Sequence, residues 1–114
     1  MRVPHVVDKA TQAVLGKKAT DVVILDLRRV SSFTDYFLLA SGANQKQLVA
    51  MADAVLETLR AEKLRPDHIE GYPKQEWILL DYTDFVIHIF TPRSRRFYDL
   101  ERLWGAATRL EVAG

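Results

Sequence analysis

Cysteine is missing from the sequence altogether. That excludes disulfides, thiol nucleophiles and cysteine-ligated metals, and it is compatible with a reducing compartment. Glycine and proline are sparse, at 5 and 4 residues in 114, and no linker, low-complexity segment or internal repeat breaks the chain. No apolar run approaches the ~20 residues of a membrane-spanning helix. Sixteen lysines and arginines nearly balance fifteen aspartates and glutamates, so no global field draws the chain to nucleic acid or lipid. His5, His68 and His88 show no ligand spacing such as HExxH. With no thiol and no Ser-His-Asp order, nucleophilic catalysis has little to build on. The opening Met1-Arg2-Val3-Pro4-His5 lacks a secretory apolar core and a transit-type Arg- and Ser-rich lead. A cytoplasmic protein is the expectation.

What is present suits one domain, 1–114, with 48% hydrophobic and 27% charged residues. The stretch 76–90 organises it. Trp77–Leu80 and Phe85–Phe90 are aromatic and β-branched runs, and Asp81-Tyr82-Thr83-Asp84 between them carries turn-forming aspartates. This predicts a β-hairpin. Both faces of each strand are apolar, so each has either two covered faces or one kept for a partner.

Elsewhere the periodicity predicts a helix over Pro4–Leu15, from Val3, Val6, Val7, Ala10 and Val14. Buried strands are expected at 21–27 and 36–40, and a second helix follows from Asn44 to about Ala61. There Asn44 and Gln47 read as a capping box. His68–Glu70 is expected to be a short strand. Pro92 opens a last helical region, with Phe97, Leu100, Leu103 and Trp104 as its stripe and a tail that stays helical past Gly105. The order α-β-β-α-β-β-β-α predicts an α/β fold: a mixed sheet with packed helices.

Four constellations bear on chemistry. The Ser41-Gly42-Ala43-Asn44 turn leads into a helix and suits a cap better than an anion site, since no Walker or dinucleotide fingerprint is present. Asp81 and Asp84 suit the turn better than a cation. Arg93, Arg95 and Arg96 beside Phe97 and Tyr98 would suit RNA, but Asp99 and Glu101 weaken that reading. The aromatic set is strongest: residues 77–114 hold seven of the chain's eleven Trp, Tyr and Phe residues. Trp and Tyr are favoured interface anchors, so a protein–protein surface from the hairpin and the following helix is expected, with core packing as the alternative.

These segments resemble a known family. Asp35-Tyr36-Phe37 with Ser41-Gly42, Ile69-Glu70-Gly71, Trp77 to Tyr82, Asp84 to Phe90, and Arg95 to Trp104 follow the order and spacing of the ribosomal silencing factor family, RsfS, also called Iojap or YbeB. The resemblance covers about Val6 to Trp104. Thr83, Phe85, Ser94 and Phe97 depart from its usual pattern, and Thr83 leaves the turn type open. The resemblance implies a bacterial-type, non-enzymatic protein with a nucleotidyltransferase-like sheet, often a homodimer. It implies binding to the large ribosomal subunit through large-subunit ribosomal protein fourteen. Steric blocking of subunit joining then represses translation under nutrient limitation. No cofactor, metal, membrane or sequence-specific nucleic acid is expected. Nucleotidyltransferase chemistry would need an Asp-x-Asp pair after Ser41-Gly42, and Asp53 stands alone. Under this reading Trp77 and Tyr98 are anchors. Glu70, Asp81 and Asp84 meet basic groups. Leu79, Tyr82, His88, Phe90, Arg95, Leu100 and Trp104 complete the expected contact set. The rivals are a divergent nucleotidyltransferase and an RNA-binding module.

Overall fold

The computed structural model describes residues 3–112. Its elements, in chain order, are α1 (His5–Leu15), β1 (Thr20–Asp26), β2 (Tyr36–Ser41), α2 (Gln45–Ala61), β3 (His68–Glu70), β4 (Trp77–Asp81), β5 (Phe85–Phe90), α3 (Pro92–Tyr98), α4 (Leu100–Leu103) and β6 (Thr108–Glu111). The six strands form one mixed sheet in the order β3-β4-β5-β2-β1-β6. Only β2 and β5 pair in parallel. This is the expected α/β mixed sheet with helices packed on it.

Strand alternation divides the apolar residues between two faces. Val22, Ile24, Tyr36, Leu38, Ala40, Ile78, Leu80, Phe85, Ile87 and Ile89 point to one face and pack with the stripes of α1 and α2. Val7, Ala10 and Val14 of α1 and Leu48, Met51, Ala52, Val55 and Leu59 of α2 complete this core. Asn44 caps α2 as expected, its Oδ1 accepting from the Gln47 N–H at 2.9 Å, while the reciprocal bond shifts by one residue: Gln47 Oε1 accepts from the Ala43 N–H at 2.7 Å instead of from Asn44 itself. The helix start is thus occupied by its own side chains rather than left for an anion.

The hairpin closes with Asp81 opposite Val86. Asp81 Oδ1 accepts from the Thr83 N–H at 2.8 Å, and Thr83 takes a left-handed backbone, φ 70°. A β-branched residue pays a steric penalty there, which is why glycine suits that position.

The C-terminal region differs from the periodic reading in two ways. The expected single helix breaks at Asp99, which sits at φ 50°. The break swings α4 round, so that Leu100 and Trp104 pack on the sheet while Phe97 and Leu103 stay 79% and 70% exposed. The tail is not helical. Thr108–Glu111 pairs antiparallel with β1 and satisfies its open edge. Leu110 packs with the helix-side core, an alternation too short to be conspicuous in sequence.

Candidate functional site

The sheet face away from α1 and α2 carries Val23, Leu25, Phe37, Leu39, Val86 and Phe90. Among the described residues, Trp77, Leu79, Leu100, Trp104 and Ala107 pack against it. The segment is tied down at its start by its own sequence. Thr91 is the N-cap of α3, accepting from the Ser94 N–H at 3.2 Å, with Pro92 in the first turn. Ser94 Oγ donates to the Glu76 carbonyl at 2.7 Å, and Thr91 Oγ1 donates to Glu76 Oε1 at 2.9 Å. These bonds hold α3 beside Glu76, the residue just before β4.

Arg95 ties down the rest. Its side chain is buried, with Nε donating to Glu101 Oε1 at 2.8 Å and Nη1 donating to Ser41 Oγ at 2.8 Å and to the Asp21 carbonyl. The guanidinium carbon lies 5.8 Å from the Phe90 ring centre. Arg109 Nη1 donates to the other Glu101 oxygen at 2.6 Å. The Arg95 hydrogen bond, helped by Arg109, holds the Glu101 carboxyl below the usual range. One arginine therefore joins β1, β2 and α4, and through Glu101 reaches β6.

Next to this clamp lies an open groove of about 870 Å³, walled by Glu70, Gly71, Lys74 to Trp77 and Leu79 on one side and by Arg93, Ser94 and Arg96 to Tyr98 on the other. The Trp77 ring centre lies 4.4 Å from that of Tyr98 and 5.9 Å from that of Phe90. Tyr98 is 46% exposed. The rim mixes signs: Lys74, Arg93 and Arg96 face Glu70 and Glu76. Glu70 Oε1 also accepts from the His68 Nε2–H at 2.9 Å. On the far side of His88, Phe37 stands edge-on to Trp104 at 5.8 Å, and Phe33 lies 5.9 Å from Trp104 while remaining 61% exposed. An aromatic band thus crosses the sheet from Phe33 to Phe97.

The structure sorts the expected contact residues into layers. Glu70, Trp77, Leu79 and Tyr98 come together at the groove. Leu100 and Trp104 cover the neighbouring part of the same face. Asp81 and Asp84 lie at the hairpin tip, Asp84 exposed. Three expectations are corrected. His88 and Phe90 do point to this face but are buried beneath the rings. Arg95 is buried in its clamp and is absent from the exposed basic cluster, because its partners, the Glu101 carboxylate, the Asp21 carbonyl and the Ser41 hydroxyl, draw it inward. Tyr82 belongs to the opposite core: its ring stacks on Phe85 at 5.0 Å, and burial pushes its hydroxyl up to about 12. The sequence reading left Phe33, Phe37 and the groove residues Lys74, Gln75 and Glu76 out of the site, and weighed Arg93, Arg96 and Phe97 as a basic and aromatic cluster without placing them in the contact set. A lone Phe33 in a polar connection was the available signal. Among the described residues no three His, Asp or Glu side chains are grouped to hold a metal ion, and no helix is long and apolar enough to cross a membrane.

The sequence model of the family described as "Ribosomal silencing factor during starvation" matches residues 1–114. A ribosomal silencing factor RsfS from Halalkalibacterium halodurans is 36% identical over 105 residues, covering 92% of this chain and 90% of that protein. Mouse "Mitochondrial assembly of ribosomal large subunit protein 1" is 30% identical over 101 residues, covering 86% of this chain and 44% of that protein. A crystal structure of a Chromobacterium violaceum protein superposes with a TM-score of 0.87 at 29% identity, over 100% of this chain and 95% of that one.

Proposed function

This chain belongs to the ribosomal silencing factor family, and from that membership we propose that it binds the large ribosomal subunit through large-subunit ribosomal protein fourteen and blocks subunit joining by occupying space. Repression of translation under nutrient limitation follows from such a block. The observation that carries the reading is the groove beside Trp77: two large aromatic rings in contact, one of them nearly half exposed, on a sheet face that the fold leaves partly uncovered. Aromatic anchors in a pocket with a polar rim are the usual composition of a binding hot spot. Glu70 and Glu76 at the rim, with Asp81 and Asp84 at the hairpin tip, offer carboxylates to the lysines and arginines in which ribosomal proteins are rich. Ser41 Oγ is fully buried and bonded to Arg95, which supports a binding role over nucleotide chemistry at the Ser41-Gly42 turn. The exposed basic residues Arg93 and Arg96 flank the aromatic groove rather than forming a continuous cationic track, which favours a protein partner over naked RNA.

The experiment is sedimentation of purified large and small subunits through a gradient with and without the protein. Comigration with the large subunit and a reduced joined-ribosome peak is the expected result. Protein left at the top of the gradient, with joining unchanged, refutes the reading. The same gradient run with Trp77→Ala, shown to be folded by circular dichroism, tests the groove itself. Loss of one anchor costs at least ~2 kcal/mol of binding, about thirtyfold.

A further inference from the structure

Beneath the aromatic band lies a buried titratable side chain, His88, 3% exposed. Its Nδ1 faces the indole of Trp77, with 3.1 Å between Trp77 Nε1 and His88 Nδ1. Indole nitrogen is a donor only, so Nδ1 must be the acceptor and the neutral ring carries its proton on Nε2. Nε2 meets no conventional acceptor. The strand order shows what lies on each side. Trp77 stands on β4, to one side of β5, and Phe37 stands on β2, to the other. The Phe37 ring meets the imidazole edge-to-face at 4.4 Å, a contact that compensates a buried N–H only weakly.

A leucine at this strand position would fill the face without an orphaned donor. The imidazole is destabilising as a core residue, and what it supplies in exchange is the acceptor for Trp77. That bond also turns the sole polar atom of the Trp77 side chain inward. The part of the indole that faces the groove is therefore wholly carbon, suited to aliphatic side chains and to the stems and heads of lysine or arginine.

We propose that His88 is a positioning residue for the partner surface, holding the Trp77 indole in one orientation, with its N–H directed into the protein and its ring edge presented beside Tyr98. This rests on the reading of Trp77 as an anchor. Without the bond, the indole samples more than one orientation in the groove, and binding has to select the competent one.

The test compares the full-length protein with His88→Leu, His88→Asn, Trp77→Phe, Trp77→Ala and the His88→Leu/Trp77→Phe pair, using purified large subunits as the probe. His88→Leu is expected to weaken binding roughly fivefold, the scale of one net hydrogen bond. His88→Asn, whose side-chain oxygen lies near the Nδ1 position, restores most of that. In the Trp77→Phe background His88→Leu has no further effect, because the N–H it serves is gone. A nuclear magnetic resonance spectrum supplies an independent readout. The indole N–H signal that disappears in Trp77→Phe is protected from exchange in the parent and loses that protection in His88→Leu. If His88→Leu binds as the parent does while Trp77→Ala fails to bind, the anchor stands and the positioning role is overturned. If Trp77→Ala also binds fully, the surface reading falls and takes this one with it. Should His88→Leu not fold, an unprotected Trp77 indole N–H in the parent overturns the proposal by itself.

Discussion

Acidification should destabilise this fold through a single buried imidazole, in a pH range where the carboxylates remain ionised. Burial lowers His88 to about 3 from its usual 6.5. The rings packed round it belong to Phe37, Trp77 and Phe90, none of which can stabilise an imidazolium by ion pairing. Protonation would also convert Nδ1 into a donor facing the Trp77 donor. Above pH 6.5 both the folded and unfolded states are neutral at this residue, and its contribution to stability is fully present. Between 6.5 and 3 the unfolded chain binds one more proton than the folded chain. Stability therefore falls as pH falls, by about 1.4 kcal/mol per unit once well below 6.5. Relative to pH 7.5, the loss is about 1.4 kcal/mol at pH 5.5 and about 2.7 kcal/mol at pH 4.5, a large share of the ~5–15 kcal/mol typical of a domain. Glu101 is held low, so its stabilisation is lost only at more acid pH. Urea unfolding at pH 7.5, 6.5, 5.5 and 4.5, at fixed ionic strength, reads the effect directly. His88→Asn, which cannot titrate, should flatten the profile between pH 7 and 5. A parent whose unfolding free energy is the same at pH 5.5 and 7.5, or a His88→Asn protein with the parent's slope, would refute the reasoning.

Four further outcomes follow from the packing. Arg95→Met should cost about 3 kcal/mol in urea unfolding, since it takes one of the two arginine partners from the Glu101 carboxylate and the donor from the Ser41 hydroxyl and the Asp21 carbonyl, and amide exchange in β6 should accelerate with it. Leu80→Ala, at a fully buried position between the sheet and the helices, should cost about 2–5 kcal/mol by the same assay. Gly71→Ala should lower the melting temperature and disturb the groove, because Gly71 sits at φ 77° and an added Cβ would run into the Trp77 carbonyl; unchanged large-subunit binding and melting would contradict this. Asn44→Ala should cost about 1 kcal/mol by loss of the α2 cap, measured by thermal unfolding.

Much of the fold was legible in the sequence, since it follows from periodicity and local chemistry. The stripe from Leu48 to Leu59, the Asn44–Gln47 cap and the two apolar runs around Asp81–Asp84 each point to one structure, and each forms. The break at Asp99 was not legible, because Phe97, Leu100, Leu103 and Trp104 fit a continuous helix as well as they fit two short ones. What decides between them is long-range: Leu100 and Trp104 find the sheet, and Arg95 finds Ser41 and the Asp21 carbonyl. The strand at Thr108–Glu111 was hidden for a similar reason. Four residues carry little periodic signal, and the case for pairing lies in the open edge of β1.

The candidate site shows the same division between local and distant information. Trp77, Leu79 and Tyr98 announced themselves by residue type, and the structure does bring them to one groove. Residue type could not reveal depth. Val86, His88 and Phe90 share a strand face with the exposed rings of their neighbours, yet all three lie under them. Tyr82, one residue beyond Asp81, crosses to the opposite core through strand alternation and the hairpin turn. Arg95 reads as a surface cation until Ser41, 54 positions earlier in the chain, is placed against it. The hairpin apolar on both sides thus resolves in an intermediate way. One face is closed by α1 and α2, while the other is closed only in part, by rings whose placement depends on a clamp and a buried imidazole. A surface built this way presents aromatic area to a partner with part of the ordering cost already met in folding. On the proposed reading, the buried residues behind it bear on affinity along with the exposed ones in front.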